Sequence, residues 1–240
     1  MIFRFVSIFL CCVVLGRATF VAGMAPPLPP KPLGTYLTGN PSSPTIAVDC
    51  YIDLVCPFAG RMFLTLYDEV LPLIQADNRK ADGISIKIHH VVQPWHPQST
   101  LVHEAALAVR KVDASAYLGY VRWVCRQFAG DEKKFSDEDT WNKSRAEIYE
   151  ELLKGFSPTP PTTNPAAPAE AMNLLVPPEG FTGNSGNGVT QDIKWACKHH
   201  RAMGVHVTPT VFVNGIEAIQ ISSGWKTEDW MEFFDTFDLS

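Results

Sequence analysis

The sequence has 240 residues, of which 46% are hydrophobic, so it is long enough to bury one sizeable core or two coupled subdomains. A formal net charge of -5 at pH 7 gives no reason to expect a nucleic-acid partner. The six cysteines include no Cys-x-x-Cys pair and no metal-like spacing, so neither a metal site nor a disulfide-scaffold protein is expected.

The N-terminus has the pattern of a targeting segment. Arg4 precedes a short apolar run that ends in small residues near Gly23. This pattern predicts a secretory signal peptide over residues 1–23, and hence a protein of the secretory pathway or the extracellular space with no membrane segment after cleavage. A signal anchor or a mitochondrial presequence is the alternative. Residues 24–44 are rich in proline and predict an extended leader, and Asn142 begins a candidate glycosylation sequon.

The hydrophobic periods after residue 44 predict an α/β protein. Alternating apolar residues predict a strand over 45–55, helical spacing predicts a helix over 58–75 with a kink at Pro72, and alternation returns over 84–92. Strand, helix and strand in this order form a βαβ unit with parallel strands. We therefore expect residues 45–92 to form the first half of a domain.

The residues that follow predict a helical insertion at 93–204. Helices are expected at 100–112, 115–128, 137–153 and 190–203, with an irregular stretch at 157–188 that holds one short helix at 169–174. The last of these helices should end at Gly204.

The C-terminal segment predicts a ββα unit at residues 205–240. A strand is expected over 205–213, a hairpin turn at Asn214-Gly215, a partner strand over 216–221 and a closing helix that begins at Thr227.

Three features carry a resemblance to a known family. The turn Asp53-x-x-Cys56-Pro57-Phe58 joins the first strand to the first helix, Thr208-Pro209 precedes the hairpin, and the helical insertion lies between them. Over residues 45–240 the chain resembles the DsbA-like branch of the thioredoxin superfamily, whose active-site turn reads Cys-Pro-Phe-Cys or a near variant. The resemblance implies a thioredoxin-like fold, βαβ and then ββα, with a helical insertion between the two halves.

The same resemblance implies a reacting cysteine and a peptide groove. Cys56, followed by Pro57 and Phe58, would be the nucleophile, and Thr208-Pro209 would be a cis peptide beside it. The backbone before the proline would pair with an extended substrate, a form of strand addition. A trans Pro209 that simply begins an edge strand is the alternative. Independently of the family, a cysteine at a helix N-terminus lies where the helix stabilises a thiolate.

Two positions depart from the family pattern. Ala59 stands where the second cysteine of the turn is expected, and Cys50 stands where thioredoxin relatives often place a buried carboxylate. Without a second sulfur in the turn, we expect a monothiol mechanism in which Cys56 forms a mixed disulfide that another thiol releases. Glutathione could be that thiol, as a co-substrate, and no bound cofactor is expected.

Other cysteines and charged residues have secondary roles. Cys125 and Cys197 lie on apolar helix faces and are expected either to form a structural disulfide or to remain two separate thiols. Arg61, in the first helical turn, and His96, after the second strand, are candidates to support the Cys56 thiolate. No metal site is expected, because adjacent histidines generally point apart.

Three functions fit these observations. The first is DsbA-like thiol–disulfide exchange on protein or peptide thiols and disulfides, through Cys56 alone. The second, favoured by Ala59, is a peptide-binding module that keeps the scaffold and has lost the redox cycle. The third is an enzyme similar to kappa-type glutathione transferases, which share the inserted architecture. The sequence predicts neither the identity of the substrate nor the oligomeric state.

Overall fold

The described part of the computed structural model comprises residues 27–38, 43–129, 133–156 and 164–239. The predicted signal peptide at 1–23 lies outside these residues, as does the first part of the leader. The chain divides into Met1–Pro30, of which only 27–30 are described, and a compact unit from Lys31 to Ser240. No helix among the described residues is both long and apolar enough to cross a bilayer.

The compact unit contains five strands and ten helices in the described residues. The strands are β1 (Thr35–Tyr36), β2 (Ile46–Ile52), β3 (Ile84–His90), β4 (Thr210–Val213) and β5 (Ile216–Glu217). The helices are α1 (Pro57–Thr65), α2 (Leu71–Ala76), α3 (Asn78–Gly83), α4 (Ser99–Val112), α5 (Tyr117–Ala129), α6 (Asp137–Thr140), α7 (Arg145–Leu153), α8 (Ala167–Leu175), α9 (Thr190–Ala202) and α10 (Thr227–Asp235). A π-helical turn, Leu66–Val70, joins α1 to α2.

The strands form one mixed sheet in the order β1-β3-β2-β4-β5. β2 pairs with β3 in parallel and with β4 in antiparallel orientation, and β5 completes a hairpin with β4. The predicted thioredoxin-like fold, βαβ followed by ββα, is therefore confirmed. Because β2 is central, its end places Asp53 and Cys56 between the end of β3 and the residues that lead into β4.

Helices cover the sheet and enclose the core. α1 packs on α5, while α4 packs on α8 and α9, and α9 also contacts β3. One face of β2 presents Ile46, Val48 and Cys50 to the main core, where each is almost completely buried. The fold thus places α4, a helix of the predicted insertion, against the end of β2.

Several predicted boundaries are wrong, for local reasons. The helix predicted over 137–153 is two helices, because Ser144 and Glu147 form a capping box that starts α7. The helix predicted over 58–75 is interrupted by the π-helical turn just before Pro72, which has no backbone N–H to donate. A further helix, α3, starts where Asp77 accepts from the backbone N–H of Arg79.

The two ends of the domain also differ from expectation. Thr35 and Tyr36, assigned to the extended leader, form the edge strand β1, which pairs with β3. The predicted strand over 205–213 is shortened to β4, because the carbonyls of His206 and Val207 accept from the Gln93 side chain and the Thr210 hydroxyl instead of joining a ladder. Residues 205–209 are consequently a loop that faces the start of α1.

Candidate active site

Cys56 occupies the N-cap position of α1. Its backbone is extended, with φ −79° and ψ 118°, and Pro57 follows at the first helical position, where a missing N–H is tolerated. The Cys56 carbonyl accepts from the N–H of Gly60 at 2.8 Å, and its N–H donates to the carbonyl of Asp53 at 3.0 Å. The cysteine is therefore fixed at the positive end of a helix dipole, where negative charge is stabilised.

The loop before β4 lies directly against this cysteine. The Thr208–Pro209 peptide bond is cis, and Cys56 Sγ donates to the Thr208 carbonyl oxygen at 3.4 Å. Cys56 is 6% exposed, and this loop covers part of its side chain. The structure thus brings together Cys56, Pro57, Thr208 and Pro209, which are far apart in the sequence.

Apolar side chains surround the cysteine on the surface. Phe58 is 53% exposed, and Arg61 stacks over its ring at 5.3 Å. Trp95 and Val207 are also largely exposed and belong to the two loops that approach the Cys56 turn. Exposed apolar groups of this size often mark an interaction site.

The most strongly hydrogen-bonded side chain of the site is Asp53, three residues before Cys56. It is fully buried, and its two carboxylate oxygens accept from four donors and contact one further histidine. The donors are Val55 N at 3.1 Å, Ser99 Oγ at 2.9 Å, Gln93 N at 3.2 Å and His96 Nδ1 at 2.8 Å, and His103 Nε2 lies 3.2 Å from Oδ1. A buried carboxylate that accepts this many hydrogen bonds is held in its charged form.

Two buried histidines extend this network inward. His103 Nδ1 lies 2.6 Å from His90 Nδ1, and His90 Nε2 lies 2.7 Å from the Tyr117 hydroxyl. His103 Nε2 lies 3.2 Å from both Asp53 Oδ1 and the backbone N of Leu54, whose N–H donates to it. A continuous chain of polar contacts therefore runs from Asp53 through His103 and His90 to Tyr117.

The charges in the network follow from burial and hydrogen bonding. Burial alone would raise the pKa of Asp53, but the interactions with His103 and His96 outweigh it and lower the pKa well below its ordinary value. The hydrogen bond to Asp53 raises the pKa of His96, against a smaller opposing effect of burial. Burial lowers the pKa of His90 well below its ordinary value, so this ring stays neutral.

The two residues proposed to support the thiolate have other contacts. His96 donates to Asp53, which lies between it and Cys56 in the network, and Arg61 is exposed over the Phe58 ring. Direct support of the Cys56 thiolate by His96 or Arg61 stays a prediction.

The other cysteines of the described residues, Cys50, Cys125 and Cys197, are free thiols. The Cys125–Cys197 disulfide, one of the two expected alternatives, is absent from the described residues, because α5 carries Cys125 against α1 whereas α9 carries Cys197 onto β3 and α4. Burial raises the pKa of the Cys50 and Cys125 thiols well above the ordinary value. Ala59, in place of a second cysteine of the turn, is fully buried.

The described residues contain no group of three His, Cys, Asp or Glu side chains that could hold a metal ion. Asp53 belongs to the predicted motif, but its chemical role was not predicted. A signal was available: Ser99 and His103 are four residues apart on the buried side of α4, and His96 precedes Ser99 by three. Polar residues at helical spacing on a buried face indicate a shared polar partner.

Comparisons with known proteins find similarity in structure. No protein-family model matches the chain, and no curated protein sequence matches it. Chlamydia trachomatis DsbA is similar, with a TM-score of 0.55 at 18% identity over 89% of this chain and 96% of that one. The MdbA thiol-disulfide oxidoreductase of Actinomyces oris gives 0.57 at 15% identity, over 80% of this chain and 81% of that one.

A third structure agrees with these two. A candidate protein-disulfide isomerase from Pseudomonas syringae gives a TM-score of 0.52 at 20% identity, over 80% of this chain and 95% of that one. At such identities the likeness establishes the fold. The chain therefore has the thioredoxin-like fold of the DsbA-type structures.

Proposed function

We propose that the protein catalyses thiol–disulfide exchange on proteins or peptides, with Cys56 as its only reacting sulfur. The observation that carries the proposal is the position of Cys56 Sγ, at the N-terminus of α1 and 3.4 Å from the Thr208 carbonyl beside the cis peptide. A helix N-terminus favours the thiolate, which is the form that attacks a disulfide.

The surface around Cys56 suits an extended, partly apolar peptide. Phe58, Trp95 and Val207 offer exposed apolar contacts from the start of α1 and from the two loops beside it, and the loop before Pro209 offers backbone groups for strand addition. The Thr208 carbonyl accepts from the thiol while Cys56 carries its proton. Once Cys56 is a thiolate or a mixed disulfide, that carbonyl is free to accept from a substrate N–H.

We propose a monothiol cycle because, among the described residues, no other sulfur near Cys56 is suited to resolve its mixed disulfide. Ala59 contributes only a buried methyl group, and the raised pKa of the buried Cys125 makes it a poor resolving thiol at neutral pH. An external thiol is therefore needed to release the mixed disulfide, and we propose glutathione or a substrate thiol in this role.

The test is exchange on a disulfide-linked peptide, with and without glutathione. With a peptide that carries no free thiol, wild type should turn over only when glutathione is present, and Cys56→Ser should be inactive. Ala59→Cys is the matched gain of function, since residues three apart in a helical turn lie within the 4.4–6.8 Å Cα separation of a disulfide. After its turn has been oxidised to a disulfide and the excess oxidant removed, this variant should oxidise one equivalent of a dithiol peptide without glutathione, and its own disulfide is reduced in that step. Full activity of Cys56→Ser would contradict the proposal.

One observation favours a second candidate, a redox-inactive peptide-binding module. Cys56 is buried, and its thiol donates its proton to the Thr208 carbonyl oxygen. If the protein is such a module, wild type and Cys56→Ser should bind a cysteine-free extended peptide with equal affinity, and neither should exchange disulfides.

We also propose that the protein is secreted. The predicted signal peptide supports this, and Asn142 is exposed in the turn between α6 and α7, where a glycan meets no packing constraint. Expression in a secreting eukaryotic cell should yield protein in the medium, with a mass decrease on deglycosylation that Asn142→Gln removes. Retention of the wild-type protein in the cytosol would contradict this location.

A further inference from the structure

A substrate disulfide that is attacked by Cys56 expels a second sulfur as a thiolate, which needs a proton when the thiol is weakly acidic. His96 is well placed to supply it. Its Nδ1 is bound to Asp53 Oδ2 at 2.8 Å, and within the described residues its Nε2 has no hydrogen-bond partner. The side chain is 23% exposed, so that nitrogen is accessible to a ligand.

The loop that carries His96 also spans the proposed groove. Gln93 donates through its backbone N–H to Asp53 and through Nε2 to the carbonyl of His206, in the loop before Pro209. Trp95, next to His96, is exposed, and its ring meets the His96 ring edge to face at 6.2 Å. His96 is therefore held between the Asp53–Cys56 turn and the loop before Pro209.

We propose that His96 is the general acid and base of the exchange, oriented by Asp53 as a positioning residue. This inference rests on the proposed function of Cys56. Two carboxylates face His96, Asp53 from the end of β2 and Asp137 from α6, and both favour the imidazolium. Asp53 is itself fixed by Ser99, His103 and two backbone N–H groups, so the ring has a rigid support.

The chemistry balances without an added oxidant. The Cys56 thiolate attacks one sulfur of R–S–S–R′; the Cys56–S–S–R bond forms, the S–S bond to R′ breaks, and the electron pair leaves on R′–S⁻. The leaving sulfur takes the proton from His96 Nε2. In the second step a thiol R″–SH gives its proton to Nε2 and attacks the R-side sulfur of the mixed disulfide; the R–S–S–R″ bond forms, the S–S bond to Cys56 breaks, and Cys56 leaves as thiolate. The number of disulfides is unchanged.

The test compares two disulfides that transfer the same glutathione to Cys56 but release different leaving thiols. Reduced protein is mixed at pH 7 either with glutathione disulfide or with glutathione joined to an acidic nitroaromatic thiol, and both reactions are read as formation of the same glutathione adduct on Cys56. A glutathione leaving group needs a proton, whereas the nitroaromatic thiolate leaves as a stable anion. The readout is the rate constant of each reaction.

His96→Gln should slow the glutathione-disulfide reaction by about 10²-fold and the nitroaromatic reaction by less than about 3-fold, because only the first uses the acid. His96→Asn should behave alike, and it serves as the variant if the glutamine change disturbs folding. His199→Gln, on α9, is the matched control and should change neither rate.

Equal slowing of both reactions would show a structural role for His96 and overturn the proposal, and so would an unchanged pair of rates. Failure of the proposed function gives a different result. If wild type forms no Cys56 adduct with either disulfide, the exchange activity itself is wrong, and the role of His96 falls with it.

Discussion

Two Asp–His clusters lie on neighbouring parts of the same pair of strands, and they differ in depth. Asp49 accepts from His89 Nε2 at 2.7 Å, and its side chain is 29% exposed. The His89 ring is stacked against Tyr51 at 4.6 Å and against His199 at 4.8 Å, and these two rings are themselves 5.7 Å apart. Asp53, four residues further along the strand direction, is fully buried and holds two histidines, a serine and two backbone N–H groups.

The difference shows what burial does to the same pair of residue types. In both clusters burial alone would raise the pKa of the aspartate, and hydrogen bonds from histidine outweigh it. Asp49 has one histidine donor and partial access to water, so its cluster can lose a member cheaply. Asp53 cannot be solvated if a partner is lost, and it adjoins the reacting cysteine. We infer that the first cluster is structural and the second serves the active site.

The largest effect is expected from neutralising each aspartate. Asp53→Asn removes a buried charge from a saturated network and should lower the free energy of unfolding by about 3–5 kcal/mol. Asp49→Asn removes a partly exposed pair and should cost about 1 kcal/mol or less. Urea unfolding of the three proteins measures both values. Equal losses for the two variants would remove the distinction between the clusters.

Acid should reveal the same asymmetry with a smaller effect. The pKa of Asp53 is lowered by folding from an ordinary value of 3.8, so its contribution to stability is complete above that value and is lost as pH falls toward the folded-state pKa. Wild type should therefore lose stability below about pH 4. Asp53→Asn should lose less stability with acid than Asp49→Asn does, because it lacks the carboxylate with the larger contribution. Urea midpoints measured from pH 5 down to the acid limit test this. A flatter profile for Asp49→Asn than for Asp53→Asn would contradict it.

The smallest effect separates the two tyrosines of the clusters. Tyr117→Phe removes the hydroxyl that lies 2.7 Å from His90 Nε2 and leaves a buried ring nitrogen unpaired, which should cost about 1–2 kcal/mol. Tyr51→Phe keeps the stacked ring and should change stability by less than about 0.5 kcal/mol. Thermal or urea unfolding of the pair provides the comparison. A larger loss of stability for Tyr51→Phe than for Tyr117→Phe would contradict the inference that the Asp53 cluster contains the more important hydrogen bonds.

The sequence predicted the scaffold because its signals are local. Alternation in Ile46, Val48 and Cys50 marks a half-buried strand, and the matching run in β3 with a helix between them implies a parallel pair. The proximity of Cys56 and Thr208 came from the family resemblance, since no local pattern relates residues that far apart. The two helices predicted as one were separated by the Ser144 cap, a signal that was present in the sequence and not used.

The Asp53 network was missed because it is assembled from four segments. Asp53 ends β2, Gln93 and His96 belong to a loop, His103 lies on α4 and His90 ends β3. Alternation alone placed Asp53 on the face opposite the apolar set, as an ordinary polar strand residue. Only the three-dimensional arrangement shows that this face is covered by α4 at the strand end, so that the carboxylate is enclosed.

The central claim is that one sulfur carries the exchange, and intact-protein mass spectrometry tests it most directly. Reduced protein is treated with glutathione disulfide, quenched in acid, and mapped by peptide digestion. We expect one glutathione adduct, on Cys56, that excess glutathione removes, with Cys50 and Cys125 unmodified because their side chains are completely buried whereas Cys56 is 6% exposed. An unmodified Cys56 under conditions that label Cys197, or an adduct that persists in Cys56→Ser, would contradict it.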